Sequence, residues 1–183
     1  MTKFINIRGC NGSGKTTVLR QYAATRSPEV RTVEVPDHKP IPVTYLSNRV
    51  AILGDYSPEA TGTTAGCDRI KTQQAAKDAL KAIEADAVLF EGIIVSTIFQ
   101  PWSDWSHENN GMVWAFLDTP LDVCLDRIQS RNGGKPINEK LVADKWNGIN
   151  RVKDKATEAG ERVETLNYNT ALEGLTEIVD DYL

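Results

Sequence analysis

The segment RGCNGSGKTT, residues 8–17, contains the residues whose types and spacing indicate chemistry most clearly. Gly9, Gly14, Lys15 and Thr16 match the pattern GxxxxGK[ST], in which glycines let the backbone curl until successive N–H groups point at phosphate oxygens. The lysine of this pattern reaches the β- and γ-phosphates of a nucleoside triphosphate, and the hydroxyl that follows it ligates Mg²⁺. The segment therefore predicts a nucleotide site, to which Asn11, Gly12, Ser13 and Thr17 also contribute.

The elements around this segment are those that the pattern requires. Lys3 to Arg8 alternates as a strand does, and a helix is predicted from Gly14 to Thr25. Further strands are predicted at 31–35, 43–46, 50–53, 87–90, 112–117 and 162–166, further helices at 70–85, 121–131, 139–159 and 171–182, and loops at 37–42, 55–68 and 99–111. The alternation predicts one α/β domain, residues 1–183, as a three-layer sandwich with a central, mostly parallel, five-stranded sheet.

Composition narrows the class of protein. The chain has 183 residues, 40% of them hydrophobic and 25% charged, which is ordinary for a globular domain. No apolar run approaches the roughly 20 residues of a membrane helix, and MTKFINIRGC has no apolar signal core, so we expect a cytoplasmic location. Cys10, Cys67 and Cys124 form no CxxC pair, which favours free thiols.

The charge is unevenly distributed. The net charge of -4 argues mildly against a protein that coats nucleic acid. Residues 126–155 nevertheless hold eight Lys or Arg against four Asp or Glu, whereas residues 156–183 hold one Arg against seven acids. A local basic segment of this kind indicates an anionic ligand.

Two further segments resemble the P-loop kinases of nucleosides and nucleotides. ADAVLFEG, ending in Glu91 and Gly92, is similar to the second motif of that superfamily, and the resemblance implies that Glu91 orients Mg²⁺ through water. In WAFLDTPLDVCLDRIQSRNGGK, Asp118 and Pro120 match the Asp-x-Pro that precedes the lid helix. The resemblance implies a nucleotide-kinase-like fold with a helical lid, about residues 127–155, and ATP and Mg²⁺ as donor and cofactor.

The lid arginines follow from the same resemblance. Arg127 and Arg131 are four residues apart and share a helix face. In the resembled kinases such arginines stabilise charge on the transferring phosphoryl group and flank the adenine. Lys135, Arg151 and Lys153 are weaker candidates for the same role. These features favour transfer of the terminal phosphate to an acceptor over its hydrolysis.

A kinase also needs a carboxylate that orients the acceptor hydroxyl and takes its proton. In the resembled families this acid often follows an early strand, and both Asp37 and Asp55 are so placed. We favour Asp55 slightly, because it ends an apolar strand and opens a glycine-rich segment. Asp68, in AGCDRI, contacts the acceptor or else caps the helix that follows it.

The segment after the Glu91 strand, which faces the acceptor in the resembled kinases, is unusually rich in aromatic residues. Trp102 and Trp105 in FQPWSDWSHENNG could stack on a base, or could instead anchor this loop on the core, and Tyr56 is a possible acceptor contact. The combination of GDY, GCD and a Trp-rich loop in a compact P-loop kinase resembles bacteriophage kinases that phosphorylate 5-hydroxymethyluracil within DNA. That resemblance implies a flipped base as acceptor and, for a phage-encoded protein, the host cytoplasm as location.

Two alternatives stay open. A soluble nucleoside or nucleoside monophosphate kinase would need cations that clamp the acceptor's own phosphate, and Arg49 and Arg69 could serve. A P-loop switch ATPase with a protein or nucleic-acid partner would hydrolyse ATP without any acceptor. Oligomeric state is not indicated by any pattern.

Overall fold

The computed structural model describes residues 1–60 and 66–183. The strands are β1 (Lys3–Arg8), β2 (Glu29–Val33), β3 (Ile41–Tyr45), β4 (Val50–Leu53), β5 (Ala87–Glu91), β6 (Met112–Leu117) and β7 (Arg162–Leu166). The helices are α1 (Lys15–Ala24), α2 (Gln73–Ala82), α3 (Ile93–Thr97), α4 (Gln100–Glu108), α5 (Leu121–Arg131), α6 (Glu139–Glu158) and α7 (Ala171–Asp180), with a 3₁₀ turn at Gly66–Arg69.

Within the described residues, the strands form one sheet in the order β2-β3-β4-β5-β1-β6-β7. The five strands from β4 to β7 in this order are parallel, whereas β3 pairs antiparallel with both β2 and β4. The α/β class and the mostly parallel sheet are confirmed. The five-strand count is wrong, because β2 and β3 extend the parallel sheet as an antiparallel edge.

Both faces of the sheet are covered, as expected for a three-layer sandwich. Along β1 the side chains alternate: Phe4 packs with α2, α4 and α6, whereas Ile5 and Ile7 pack with α1 and α7. All five residues of β5 are buried, which explains its continuous apolar run.

Two loop predictions are wrong in part. Pro42 lies in β3, where it pairs with Thr32 of the edge strand β2. The segment 99–111 is mostly helical, since α4 begins at Gln100 with Pro101 at its first turn, a position where proline costs no hydrogen bond. Residues 61–65, part of the predicted loop 55–68, lie outside the described residues. In the described part of the chain, none of the helices is long and apolar enough to cross a bilayer.

The parallel strands fix where a ligand site can form. Because β1, β4, β5, β6 and β7 run in one direction, their carboxyl ends lie at the same edge of the sheet. The segment 9–14, Asp55, Glu91 and Asp118 follow or end these strands and so meet at that edge. Ligands in open α/β sheets bind at this edge.

Candidate active site

The predicted phosphate loop, residues 9–14, joins β1 to α1, and two of its glycines adopt a left-handed conformation. Gly12 and Gly14 have φ values of 80° and 106°, in the left-handed region that favours glycine. A Cβ on Gly12 would lie 2.4 Å from the Cys124 carbonyl oxygen, so helix α5 approaches the loop too closely for a side chain. The Lys15 Nζ donates to the carbonyl oxygens of Gly9 (2.8 Å) and Cys10 (3.2 Å) and so lies across the loop.

Thr16 and Glu91 meet although 75 residues separate them in the sequence. The Thr16 hydroxyl donates to Glu91 Oε1 at 2.8 Å, and the Tyr56 hydroxyl donates to the same oxygen at 3.0 Å. Glu91 is 2% exposed, and this burial raises its pKa above the usual value of 4.5, with Lys15, Thr16 and Tyr56 opposing the rise. Burial, and then the Glu91 charge, raise the pKa of Tyr56, so this hydroxyl remains a donor.

A hydroxyl and a carboxylate held together beside a phosphate loop suit one metal ion. Mg²⁺ prefers oxygen ligands and is bound by one or two carboxylates together with substrate phosphates. Among the described residues, no group of three or more His, Cys, Asp or Glu side chains could hold a metal by itself. The oxygens of Thr16 and Glu91 therefore fit Mg²⁺ that arrives with a nucleotide.

Helix α5 and the turn before it are tied to the phosphate loop. The Arg127 Nη1 donates to the carbonyl oxygens of Gly12 (3.3 Å) and Ser13 (3.2 Å), and the Thr119 hydroxyl donates to that of Ser13 at 2.8 Å. On α6, the Trp146 indole N–H donates to the Thr119 carbonyl at 3.0 Å. These bonds hold the predicted lid arginine directly above the loop.

A cavity of about 670 Å³ opens over the phosphate loop. It brings together most of the predicted nucleotide and catalytic residues: Asn11, Gly12, Ser13, Gly14, Lys15, Thr16, Thr17, Asp68, Glu91, Arg127 and Arg131. Gly9 lies beneath them and accepts the Lys15 bond described above. The predicted weaker cations Lys135, Arg151 and Lys153 do not line this cavity.

Tyr168 and Asn169 also line the cavity, and sequence reasoning missed both. They follow β7, and the Tyr168 N–H donates to Asp118 Oδ1 at 2.8 Å. The Arg127 guanidinium carbon lies 5.7 Å from the centre of the Tyr168 ring. The only available signal was Asp118 itself, a polar residue at a strand end that needs a nearby donor.

The three aspartates predicted near the acceptor lie in different environments. The Asp55 Oδ1 accepts from the backbone N–H and the hydroxyl of Ser57 (3.1 and 2.7 Å), at the carboxyl edge of β4 but outside the cavity lining. Asp37 lies in an exposed turn with φ 57°. Asp68 lines the cavity and accepts from the Ile93 N–H at 2.8 Å. Asp68 therefore binds the start of α3 and not the helix that follows it in sequence.

The two tryptophans are not placed as acceptor platforms. Trp102 is 0% exposed and Trp105 3% exposed, on the inner face of α4. Trp102 packs against Phe90 with ring centres 5.4 Å apart, and Trp105 against Phe4 at 4.7 Å. The stacking prediction is therefore wrong for both, because the core already covers these rings. The alternative, that they anchor the segment on the core, is confirmed.

Arg49 is likewise far from the acceptor side. It precedes β4, at the edge opposite the phosphate loop, and pairs with Asp86 at 2.7 Å. It therefore cannot clamp an acceptor phosphate. Arg69 is exposed and follows Asp68 at the rim of the cavity.

Arg8 is a buried cation that sequence reasoning also missed. Its side chain is 0% exposed, and its guanidinium lies 3.9 Å from the Trp114 ring centre. Its Nη1 donates to the Ile98 carbonyl at 3.1 Å, which fixes the connection between α3 and α4. Burial lowers the Arg8 pKa, and the charge of Glu161 opposes this.

A known protein family matches nearly the whole chain. The family model described as 5-hmdU DNA kinase matches residues 2–177. The chain belongs to the 5-hmdU DNA kinase family. The resemblance read from GDY, GCD and the phosphate loop is thus confirmed, although the Trp-rich segment that also suggested it forms part of the core.

Two phage kinases agree with this membership. The chain is 58% identical to the 5-hmdU DNA kinase of Pseudomonas phage M6, over an alignment 184 positions long that covers 98% of each chain. It is 34% identical to 5-hmdU DNA kinase 1 of Salmonella phage ViI, over 78% of this chain and 66% of that one. A solved deoxyadenosine kinase from M. mycoides with bound dATP aligns with a TM-score of 0.45 and 14% identity, over 97% of this chain and 99% of the other.

Proposed function

We propose that this member of the 5-hmdU DNA kinase family transfers the γ-phosphate of ATP to the hydroxymethyl oxygen of 5-hydroxymethyluracil in DNA. The observation that carries the proposal is the 58% identity to a phage 5-hmdU DNA kinase over 98% of both chains. The reaction would occur in the cytoplasm of the infected host, where ATP and replicated phage DNA are both present.

The nucleotide would be held by the phosphate loop and by helix α5. Lys15 and the loop N–H groups would contact the β- and γ-phosphates, with Arg127 and Arg131 of α5 beside the loop in the same cavity. Arg127 and Tyr168 contact each other at the wall of the cavity, so the base would pack beside this pair. Mg²⁺, near Thr16 and Glu91, would neutralise charge on the phosphates. Residues 127–155 would act as the lid that excludes water.

The acceptor chemistry needs one carboxylate. The hydroxymethyl oxygen attacks the γ-phosphorus, the bond from that phosphorus to the ADP oxygen breaks, and the hydroxyl proton passes to the carboxylate. Asp55 remains our first candidate, because it follows β4 at the edge that carries Glu91. Asp68 is the second candidate, since it lines the cavity, but its oxygens already hold the backbone of α3.

One observation bears on the alternative of a monophosphate kinase. That reaction needs cations around the acceptor's own phosphate, and Arg49, one of the two candidates, lies at the opposite edge of the sheet. The alternative therefore loses one of its two candidate cations, and Arg69, which follows Asp68, is the one that remains near the cavity.

The test is transfer of labelled γ-phosphate from ATP to a panel of acceptors: nucleosides, nucleoside monophosphates, ordinary DNA and DNA with 5-hydroxymethyluracil. The expected result is label in the modified DNA alone, and none with Lys15→Ala. Label in a free nucleoside or nucleotide would make the protein a precursor kinase. Label only in inorganic phosphate would make it an ATPase.

A further inference from the structure

Ile94 is a large apolar side chain that the fold leaves in solvent. It is 50% exposed, whereas the next two residues of α3, Val95 and Ser96, are buried. The other exposed large apolar residues of the described chain are Met1, Val30, Leu141 and Leu183, and none of them adjoins the cavity lining. Ile94 directly follows Ile93, which lines the cavity over the phosphate loop.

Helix α3 holds Ile94 in a fixed position. The carboxylate of Asp68 accepts from the Ile93 N–H at 2.8 and 3.0 Å and approaches the Ile94 N–H at 3.4 Å. On the buried side, the Ser96 hydroxyl donates to the Gly92 carbonyl at 2.6 Å. A Cβ on Gly92 would lie 3.0 Å from Asp68 Oδ1, so the helix and the 3₁₀ turn are closely packed.

The surroundings of Ile94 suit a nucleic acid. Arg69 is exposed and follows Asp68, the residue that binds the Ile94 turn. Lys71 is also exposed, and its N–H donates to His38 Nε2 at 3.4 Å, so the segment that contains the exposed Lys39 contacts Lys71. An apolar side chain beside cations is the combination with which proteins separate bases while they contact backbone phosphates.

We propose that Ile94 enters the base stack of duplex DNA and fills the space that the acceptor base leaves when it turns into the cavity. The inference rests on the proposed function, since it concerns how a base inside a duplex reaches Glu91 and Lys15. Extrusion of a base loses the free energy of its pairing and stacking, and an apolar side chain in the vacated space offsets part of this loss. A single-stranded acceptor needs no such help.

The proposal predicts a difference between duplex and single-stranded substrates. We compare kcat/KM on one oligonucleotide with a single 5-hydroxymethyluracil, as a single strand and as a matched duplex. Ile94→Ala should lower kcat/KM on the duplex by about tenfold or more, and on the single strand by less than about twofold. Ile94→Leu, which keeps the apolar volume, should restore the duplex rate. Val30→Ala, at an exposed apolar site on β2, is the matched control and should leave both rates unchanged.

A second readout follows the base and not the product. With 2-aminopurine beside the target and a non-hydrolysable ATP analogue present, the wild type should raise fluorescence on the duplex and Ile94→Ala should raise it less.

Equal losses on both substrates, or no loss on either, would overturn the proposal. A wild type that labels no DNA but labels free nucleosides would instead overturn the proposed function, and the two failures are therefore distinguishable.

Discussion

Replacement of Glu91 by Gln removes one buried charge and leaves its shape in place. The Glu91 side chain is 2% exposed, and a single oxygen, Oε1, accepts from both Thr16 (2.8 Å) and Tyr56 (3.0 Å). A glutamine oxygen can accept the same two bonds. The variant therefore separates the effect of the charge from the effect of packing.

Without ligands, the variant should be more stable than the wild type at neutral pH. Because burial raises the Glu91 pKa above 4.5, the native state binds this proton more tightly than the unfolded state does. Wild-type stability therefore falls as pH rises from the unfolded pKa through the folded one, and glutamine does not have this loss. The two hydroxyl donors and Lys15 offset most of the several kcal/mol that an unpaired buried charge costs, so we expect a gain of about 1 kcal/mol.

The assay is thermal unfolding from pH 4 to pH 8 without nucleotide or Mg²⁺. A gain of about 1 kcal/mol corresponds to roughly 2–4 °C in Tm for a domain of this size. The difference between the two proteins should be small at the acidic end and should grow with pH until Glu91 is ionised. A variant that melts below the wild type at pH 7, or by the same difference at every pH, would refute the reasoning.

The same variant should be nearly inactive. If Glu91 orients Mg²⁺ at the transferring phosphate, loss of its charge should lower kcat by about 10²–10³-fold, the usual effect of one removed electrostatic stabiliser. A variant that is more stable but inactive is the expected pair of results. Transfer within a few-fold of the wild type would mean that Glu91 serves the fold and not the reaction.

Three further changes test the site and the core. Lys15→Ala should lower kcat by about 10²-fold or more with the folded state kept by circular dichroism, and wild-type turnover would contradict the phosphate-loop assignment. Arg127→Ala should raise KM for ATP and lower kcat, whereas unchanged nucleotide kinetics would place this arginine outside the site. Trp102→Leu should cost about 3 kcal/mol in urea unfolding without raising KM for DNA. A raised KM for DNA in folded protein would restore the stacking role.

The phosphate loop could be predicted because its determinants are contiguous. A strand, a loop with glycines at fixed offsets and a helix all lie within residues 3–24, so local conformation alone builds the anion site. Glu91 could be expected at the same edge because its strand is apolar throughout and ends in an acid. The contact between Thr16 and Glu91 then follows from the parallel pairing of β1 with β5.

The loop and base-stacking predictions for the segment that forms α4 are wrong because a high density of aromatic residues fits a buried helix as well as a binding loop. Trp102 and Trp105 are three residues apart, a spacing that also fits one face of a helix, and that face packs on Phe90 and Phe4. Aromatic side chains are large and apolar, and they contribute most of all to buried cores. A buried helix face was therefore the better prediction from this spacing. Tyr168 is the opposite case, because it lines the cavity and was not predicted to do so. A single aromatic residue in a polar turn forms no sequence pattern that indicates binding.

Asp68 shows what a sequence cannot specify about a carboxylate. An Asp before an apolar segment suits a helix N-terminus, but which helix depends on how the 3₁₀ turn packs, and here the bonded N–H groups belong to residues 93 and 94. One side chain thereby links the cavity, the turn that carries Arg69 and the helix that carries Ile94. Loss of activity in an Asp68 variant would mix these effects, so Asp55→Asn, which leaves α3 untouched, is the cleaner test of the proton acceptor.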